Sequence, residues 1–239
     1  MSAVEITRPS LAENLLYYRA HPPAFVRDHL GAEPDPWQDE VLAAFPYEQA
    51  ISIVSGNGVG KTALTAWLAL HGLVTSYASK TVLTAPTSHQ LHDNLWAELA
   101  RWYGQSTLGD IVGQQATRYY IKGRGEEWFI VPRSTNKKEN FQGYHAPNVF
   151  FFVDEASGVA GEIYEAIEGG RATDRATVTL ISNPTRLSGY FYDTHHKAKR
   201  YWRTWHIDSE DRTKVRRVNQ NYIEEMAAQH GRSSPLYLD

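Results

Sequence analysis

The chain has 239 residues, and its 24 Lys and Arg against 27 Asp and Glu give a net charge of −3. Seven Trp, fourteen Tyr and eight Phe supply a large apolar core, which excludes a chain that is disordered throughout. The absence of cysteine excludes disulfides, zinc–thiolate sites and a cysteine nucleophile. The N-terminus has no signal-peptide core, and no apolar run is long enough for a membrane span. These features predict a soluble intracellular protein with no membrane partner.

The first 45 residues carry helical patterns. Residues 10–20 predict a short helix, with Ser10 as N-cap and Glu13 at the spacing of a capping box. Two prolines after His21 are expected to end this helix. Residues 24–30 predict another helical turn, and residues 37–45 are apolar at helical spacing.

From residue 50 onward, strand patterns alternate with helical patterns. The predicted strands cover residues 50–54, 81–85, 118–122, 127–131, 149–153, 177–182 and 200–207. The predicted helices cover residues 61–77, 89–103, 162–168 and 219–230. The uniformly apolar segment 149–153 is typical of a central parallel strand that is buried on both faces. The alternation predicts an α/β fold with a mostly parallel central sheet flanked by helices.

The segment between the first predicted strand and its helix is rich in glycine. It consists of Ser55, Gly56, Asn57, Gly58, Val59, Gly60, Lys61 and Thr62. Glycines let successive backbone N–H groups turn toward an anion, which the N-terminus of the next helix also favours. Lys61 is expected to reach the β and γ phosphates of ATP, and Thr62 to place its hydroxyl on Mg²⁺. Ser55 stands where the usual pattern has glycine, and the alternative is a turn with an incidental Lys-Thr pair.

Two carboxylates follow the apolar strand 149–153. Ligand sites of α/β sheets lie at the C-terminal ends of the strands, where Asp154 and Glu155 are expected. In P-loop enzymes with this pattern the first acid holds the magnesium shell and the second activates the attacking water. Asp154 is therefore predicted on the metal side and Glu155 as the general base. The alternative is an acidic N-cap for the helix that follows.

Three shorter motifs support a nucleotide site. Gln38 precedes the first strand, where it is suited to pair with adenine, with Trp37 packed nearby. The alternative places Trp37 in the core and Gln38 on the surface. Residues 84–90 end the second strand as in helicase-like ATPases, or form a plain turn. Ser182 and Asn183 end a later strand, where they are predicted to sense the γ-phosphate and couple its loss to DNA, or to form an Asn-Pro turn.

Together these motifs resemble the large terminase subunit of tailed bacteriophages, in its N-terminal ATPase domain. The resemblance covers residues 35–42, 55–62, 84–90, 141–156, 165–169 and 182–193. It implies a RecA-like P-loop NTPase of the ASCE type, with ATP and Mg²⁺ as ligands. It also implies a motor that drives double-stranded viral DNA into a procapsid, with the portal protein, the small terminase subunit and a homo-oligomeric ring as partners. The implied location is the host-cell cytoplasm and not the mature virion.

The resemblance also suggests how the chain is divided. Residues 1–35 are predicted as a helical extension, 36–217 as the RecA-like core, and 218–239 as a helix and the start of a connector. The family carries a C-terminal nuclease domain to which nothing in this sequence corresponds, so the chain is expected to end in that connector and to lack nuclease activity.

Many terminases have an Arg-Gly pair before the acidic strand, and its arginine is a candidate finger that acts on a neighbouring subunit. Gln142-Gly143 stands at that place in this chain, so the arginine is expected elsewhere. Arg186 and Arg171 rank first because each lies near a loop that follows a motif. The other candidates are Arg124, Arg133 and Arg175.

Residues 171–217 carry eleven Lys or Arg against five Asp or Glu. The basic and aromatic segment 190–205 within them is predicted as a core-facing strand, with contact to the DNA backbone as the alternative. His195 and His196 are predicted to lie in a solvated loop and not to bind metal.

The competing functions are a helicase, which needs a second RecA domain, and a slow nucleotide switch. The base predicted at Glu155 argues against the switch.

Overall fold

The computed structural model describes residue 11, residues 13–171 and residues 175–231. Its strands are Ala50–Ser55 (β1), Ser79–Thr84 (β2), Val112–Gln115 (β3), Arg118–Ile121 (β4), Phe129–Pro132 (β5), Asn148–Asp154 (β6), Ala176–Ser182 (β7) and Arg203–Ile207 (β8). Its α-helices are Leu15–Ala20 (α1), Pro22–Leu30 (α2), Pro36–Ala44 (α3), Lys61–Thr75 (α4), Ala97–Gly104 (α5), Gly161–Gly170 (α6), Tyr190–His195 (α7) and Gln220–His230 (α8).

The strands form one sheet in the order β3-β4-β5-β2-β6-β7-β1-β8. The six strands from β5 to β8 pair in parallel, and β4 and β3 extend the β5 edge in antiparallel fashion. The predicted mostly parallel sheet flanked by helices is confirmed. Because β1, β6 and β7 are parallel neighbours in register, Ser55, Asp154 and Ser182 end at the same edge of the sheet. We call this edge the P-loop edge and the opposite one the far edge.

Strand β6 lies at the centre of the sheet and all seven of its residues are buried. Phe150 and Phe152 belong to the apolar cluster on one face of the sheet, which includes Trp67 of α4. Phe151 and Val153 belong to the cluster on the other face, which includes Ile163 of α6. Each such side chain stabilises the fold by about 1.5–3 kcal/mol. The prediction of a strand buried on both faces is confirmed.

The N-terminal helices pack on α4. The Tyr18 ring is fully buried, and the Tyr18 carbonyl accepts a hydrogen bond of 2.9 Å from Nε2 of His71 in α4. Among the described residues, helix α1 begins at Leu15, and no side chain caps it at Asn14. Ser10, the predicted N-cap, lies outside the described residues. The predicted division at residues 35 and 217 stays a prediction.

One predicted helix differs in kind from the structure, and one strand of the structure was not predicted. Residues 89–103 were expected as one α-helix, but Gln90–Trp96 form a π-helix that continues into α5. The spacing of apolar residues in so short a segment does not distinguish an α-helix from a π-helix, because Leu91 and Leu95 are on the buried side in either case. Strand β3 was not predicted, because its sequence has no alternation. Its register comes from pairing with β4, where Val112 faces Ile121.

The segment 190–205 is not the single core-facing strand that its alternation predicts. It contains α7, a 3₁₀ turn at Lys199–Tyr201 and then β8. Helix α7 starts after Gly189, whose φ of 102° L-residues rarely adopt. Stacking of Tyr190 on Tyr164 of α6, with ring centroids 4.3 Å apart, and burial of Phe191 then fix the helix. These contacts are tertiary and leave no periodic signal.

Candidate nucleotide site

The glycine-rich segment joins β1 to α4. Gly58 and Gly60 adopt positive φ angles of 74° and 91°, and Gly60 is the N-cap of α4. The buried Lys61 amine donates to the Gly56 carbonyl at 2.9 Å and to the Asn183 side-chain oxygen. Burial lowers the pKa of Lys61, whereas the charges of Glu155 and Asp154 oppose that shift. The ammonium therefore lies under the loop, where it lacks a full counter-charge and is suited to a phosphate.

The two acids lie at the end of β6. Asp154 is only 4% exposed, and it accepts hydrogen bonds from the Thr62 hydroxyl at 3.3 Å and the Glu155 backbone N–H at 3.1 Å. Burial and the Glu155 charge raise the pKa of Asp154 to about 6, and Lys61 opposes this. Two hard oxygen ligands, Thr62 and a buried carboxylate that favours a nearby cation, fit Mg²⁺.

Glu155 adopts a strained backbone. Its φ of 46° and ψ of 46° lie in the left-handed region, which costs a non-glycine residue on the order of 1–3 kcal/mol. The turn is held because Glu155 donates its N–H to Asp154 and accepts from the Gly158 N–H at 3.0 Å. This turn directs the Glu155 carboxylate toward Ser182, whose hydroxyl donates to Glu155 Oε2 at 3.4 Å. Such strain is found preferentially at functional sites.

Ser182 is part of a chain of hydroxyl groups. Its oxygen accepts from the Ser157 N–H at 3.2 Å and lies 2.9 Å from the Ser157 hydroxyl, which lies 2.6 Å from that of Thr185. The chain connects Glu155 to the loop after β7. The sequence motifs indicated Ser182 but not Ser157. The one signal for Ser157 is its position three residues after Asp154.

Asn183 connects this loop to the P-loop. Its side-chain oxygen accepts from Lys61, and its Nδ2 donates to the Asn57 side chain at 2.9 Å. The structure therefore brings together Lys61, Thr62, Asp154, Glu155, Ser182 and Asn183, which the sequence selected from three separate strand ends.

Gln38 is not on the surface, as one alternative proposed, and its side chain is fully buried. Its Oε1 accepts from the Asp35 N–H at 2.8 Å, and its Nε2 donates to the Gly60 carbonyl at 3.0 Å. Gln38 thus caps α3 and holds the P-loop at the same time. Pairing with adenine stays a prediction, and it requires these two bonds to be exchanged. Trp37 lies in the core.

The two favoured arginines lie at opposite edges of the sheet. Arg186 follows β7 at the P-loop edge and is exposed. Arg171 lies at the far edge, because α6 runs back along the sheet from the P-loop edge before β7 begins. There it bonds Glu168 at 2.7 Å and lies over the Trp202 ring at 5.5 Å. Arg171 therefore lies at the edge opposite the nucleotide site of its own chain. Its role as an arginine finger stays a prediction.

Arg217 was missed by the sequence reasoning. It lines a cavity of 560 Å³ between the P-loop and α8, together with Gly56 and Tyr222. Its guanidinium lies 3.4 Å from Asp35 and over the Trp67 ring at 5.6 Å. No motif indicated this position, because β8 and the turns after it bring Arg217 back to the P-loop.

The two histidines occupy different environments. His195 is not in a solvated loop, since it ends α7 and its Nε2 lies 2.9 Å from the Ser52 hydroxyl of β1. Burial lowers the pKa of His195 to about 4. His196 is exposed. Across the described ranges, no three His, Cys, Asp or Glu side chains gather as a metal site. Nor does any described helix have the length and apolarity needed to traverse a bilayer.

The fold and the site define a RecA-like P-loop protein. Residues 52–230 match the family described as terminase large subunit, T4likevirus-type, N-terminal. The chain belongs to this family.

Individual relatives agree with this assignment. The probable terminase large subunit of Enterobacteria phage P7 is 28% identical over 202 residues, which cover 80% of this chain and 40% of that protein. The large terminase of a thermophilic bacteriophage, which has also been solved with ADP and with ATP-γ-S, is similar at a TM-score of 0.67 and 14% identity. That similarity covers 86% of this chain and 52% of the other. The large terminase ATPase domain of Thermus phage P74-26 is similar at a TM-score of 0.63 and 16% identity, over 84% of this chain and 90% of that one. The chain thus spans about half or less of the longer relatives.

Proposed function

We propose that this chain hydrolyses ATP and is the motor part of a large terminase. The observation that carries the proposal is the convergence of Lys61, Thr62, Asp154 and Glu155 on one edge of the sheet. A phosphate-binding lysine, a pair of hard oxygen ligands and a separate carboxylate for water are the groups that phosphoryl transfer requires.

In the proposed mechanism the P-loop N–H groups and Lys61 bind the β and γ phosphates. Lys61 then exchanges its contact with Asn183 for phosphate oxygens, so Asn183 becomes a sensor of the γ-phosphate. Thr62 and Asp154 would hold Mg²⁺, which neutralises charge on the phosphates when it is bound. Glu155 orients and deprotonates the attacking water, and Ser182 keeps its carboxylate in place.

The proposed work of the motor is translocation of double-stranded viral DNA into a procapsid. Family membership supports this part. The ADP and ATP-γ-S complexes of the thermophilic-phage terminase support a nucleotide as the ligand of the motor. The proposal includes a homo-oligomeric ring that acts with the portal protein and the small terminase subunit in the host-cell cytoplasm. The two competing functions make different demands. A helicase must separate the strands of a duplex, and a switch must hydrolyse ATP slowly whether or not DNA is present.

Steady-state ATP hydrolysis, with and without Mg²⁺ and double-stranded DNA, tests the proposal. Lys61→Ala should abolish turnover, because the lost charge-assisted phosphate contact contributes roughly 1.5–3 kcal/mol in binding alone and more in the transition state. Lys122→Ala is the matched control, since Lys122 is exposed at the hairpin near the β3 edge and its amine bonds only the Gly109 carbonyl in the described structure.

Normal turnover by Lys61→Ala at saturating ATP would refute the P-loop assignment. Turnover that double-stranded DNA stimulates without strand separation supports the motor. Strand separation supports the helicase, and slow turnover that DNA leaves unchanged supports the switch.

A further inference from the structure

The far edge of the sheet carries a groove that the nucleotide site does not use. Two adjoining cavities of 640 and 610 Å³ lie there and share Arg171 and Tyr201. The first lies against the start of β1 at Ala50, the start of β6 at Asn148 and Thr177 of β7. The second lies between α6 and α7. We call this surface the far-edge groove, and its cations and exposed tyrosines are Arg19, Tyr47, Arg171, Arg175, Lys197 and Tyr201.

The cations of the far-edge groove outnumber the acids that neutralise them. Arg171 is paired with Glu168 at 2.7 Å, and Lys197 with Asp193 at 2.8 Å. Arg19 and Arg175 are exposed and form no ion pair among the residues that the structure describes. Glu48 is the one further acid among the described residues of the lining. Within the described ranges, the groove therefore offers two guanidinium groups outside any ion pair, on a chain whose net charge is −3.

The rim of the groove is aromatic as well as basic. Tyr47 is 75% exposed and Tyr201 is 64% exposed. The Arg200 guanidinium lies over the Tyr201 ring at 4.6 Å and also donates to its hydroxyl. Tyrosine hydroxyls and arginine forks are donors for phosphate oxygens, and arginine binds phosphate in a bidentate geometry.

We infer that the far-edge groove binds the phosphodiester backbone of double-stranded nucleic acid. Arg19 and Arg175 line the first cavity, and Arg171 and Lys197, each paired with one acid, continue the row of cations into the second. Cations spread over two adjoining cavities fit a ligand with repeated phosphates better than a single small anion. The walls of the first cavity carry polar groups at Gln49, Ser76, Asn148 and Thr177 beside the rings of Phe45 and Phe150. This inference rests on the proposed function, since it names where the DNA that the motor moves would be held. It places DNA and nucleotide at opposite edges of one sheet, connected by β1, β6 and β7.

The test measures binding of a short fluorescent DNA duplex of mixed sequence to the 239-residue chain over a series of salt concentrations. Arg19→Gln and Arg175→Gln should each weaken binding and lower the slope of log K against log salt by about one. The effect should be the same for duplexes of different sequence, because phosphate contacts carry no sequence information. Arg212→Gln is the charge-matched control: Arg212 is exposed on the turn after β8, at the P-loop edge.

Unchanged affinity and slope in both groove variants would overturn the inference, and a loss confined to Arg212→Gln would place the DNA elsewhere. Unchanged DNA binding with loss of self-association, measured by sedimentation, would make the groove an interface between proteins. ATP turnover of Arg19→Gln without DNA separates the two proposals, because Arg19 lies outside every predicted catalytic position. Turnover at the wild-type rate with no duplex binding by either protein refutes the groove alone. Absence of turnover in the wild-type chain refutes the proposed function.

Discussion

Glu155 is the residue whose chemistry and backbone are most closely linked. Its left-handed turn is needed to direct the carboxylate at Ser182, so a change that keeps the shape isolates the chemistry. Glu155→Gln should bind Mg-ATP normally and hydrolyse it roughly 10²–10⁴-fold more slowly, because the base is removed. Separate measurements of ATP affinity and single-turnover rate check this. Asp154→Asn is the companion variant, and it should weaken the dependence on magnesium instead. Lost affinity with preserved turnover in Glu155→Gln would reverse the two roles.

Ser157 is a positioning residue, because it acts on Glu155 through Ser182. Ser157→Ala removes one hydroxyl from the chain between Glu155 and Thr185 and leaves the backbone N–H that Ser182 accepts from. We expect kcat to fall roughly tenfold while KM stays constant, since a net hydrogen bond contributes about 0.5–1.5 kcal/mol. Ser157→Thr keeps the hydroxyl and should recover part of the loss. A purely structural role would instead lower the melting temperature and leave kcat unchanged.

At the scale of elements, the contact between α1 and α4 depends on a neutral histidine. His71 is fully buried, and its pKa falls to about 4 because burial opposes the charged form. The hydrogen bond from Nε2 to the Tyr18 carbonyl fixes the tautomer. The unfolded chain binds a proton at His71 near pH 6.5 and the folded chain does not. The contribution of neutral His71 to the free energy of unfolding is therefore complete above pH 6.5. It is lost as the pH falls toward 4.

Wild-type protein should therefore lose about 2 kcal/mol of unfolding free energy between pH 7 and pH 5 through His71. His71→Gln keeps a donor for Tyr18 and has no proton to gain. Urea unfolding of both proteins at the two pH values gives the difference directly. An equal loss in the two proteins would mean that His71 is protonated in the folded state or is not linked to folding.

At the scale of the whole molecule, the source of the catalytic arginine decides whether the chain works alone. The P-loop contains no arginine, and Arg171 lies at the edge opposite its own site. A supplied arginine contributes roughly 10³–10⁵ in rate. We therefore predict a poor ATPase as a monomer, with specific activity that rises with protein concentration as Arg186 of a neighbour enters the site.

Mixing Glu155→Gln with Arg186→Ala tests this prediction, because in a ring each variant supplies what the other lacks at alternate interfaces. Activity above the sum of the two separate proteins is the expected result. No rescue, together with activity that dilution leaves unchanged, would indicate an arginine of the same chain. Arg217, which lines the cavity beside the P-loop, is then the residue to substitute next.

The sequence by itself determined the features that local chemistry specifies. Glycines before Lys61 and Thr62 indicate an anion site, and a wholly apolar strand that ends in Asp154 and Glu155 indicates a buried strand at the site. The structure brings these groups together because parallel strands end at one edge. Alternation of strands and helices was likewise sufficient for the fold class.

Only the tertiary structure decided the rest. The burial of Gln38 under the P-loop, the hydroxyl chain through Ser157 and the place of Arg217 depend on contacts between segments far apart in sequence. The same holds for Arg171, which the return of α6 carries to the far edge. Local patterns report periodicity and turn chemistry, which act over a few residues. They do not report which chain segments meet, because packing and the paths of the connections set those contacts.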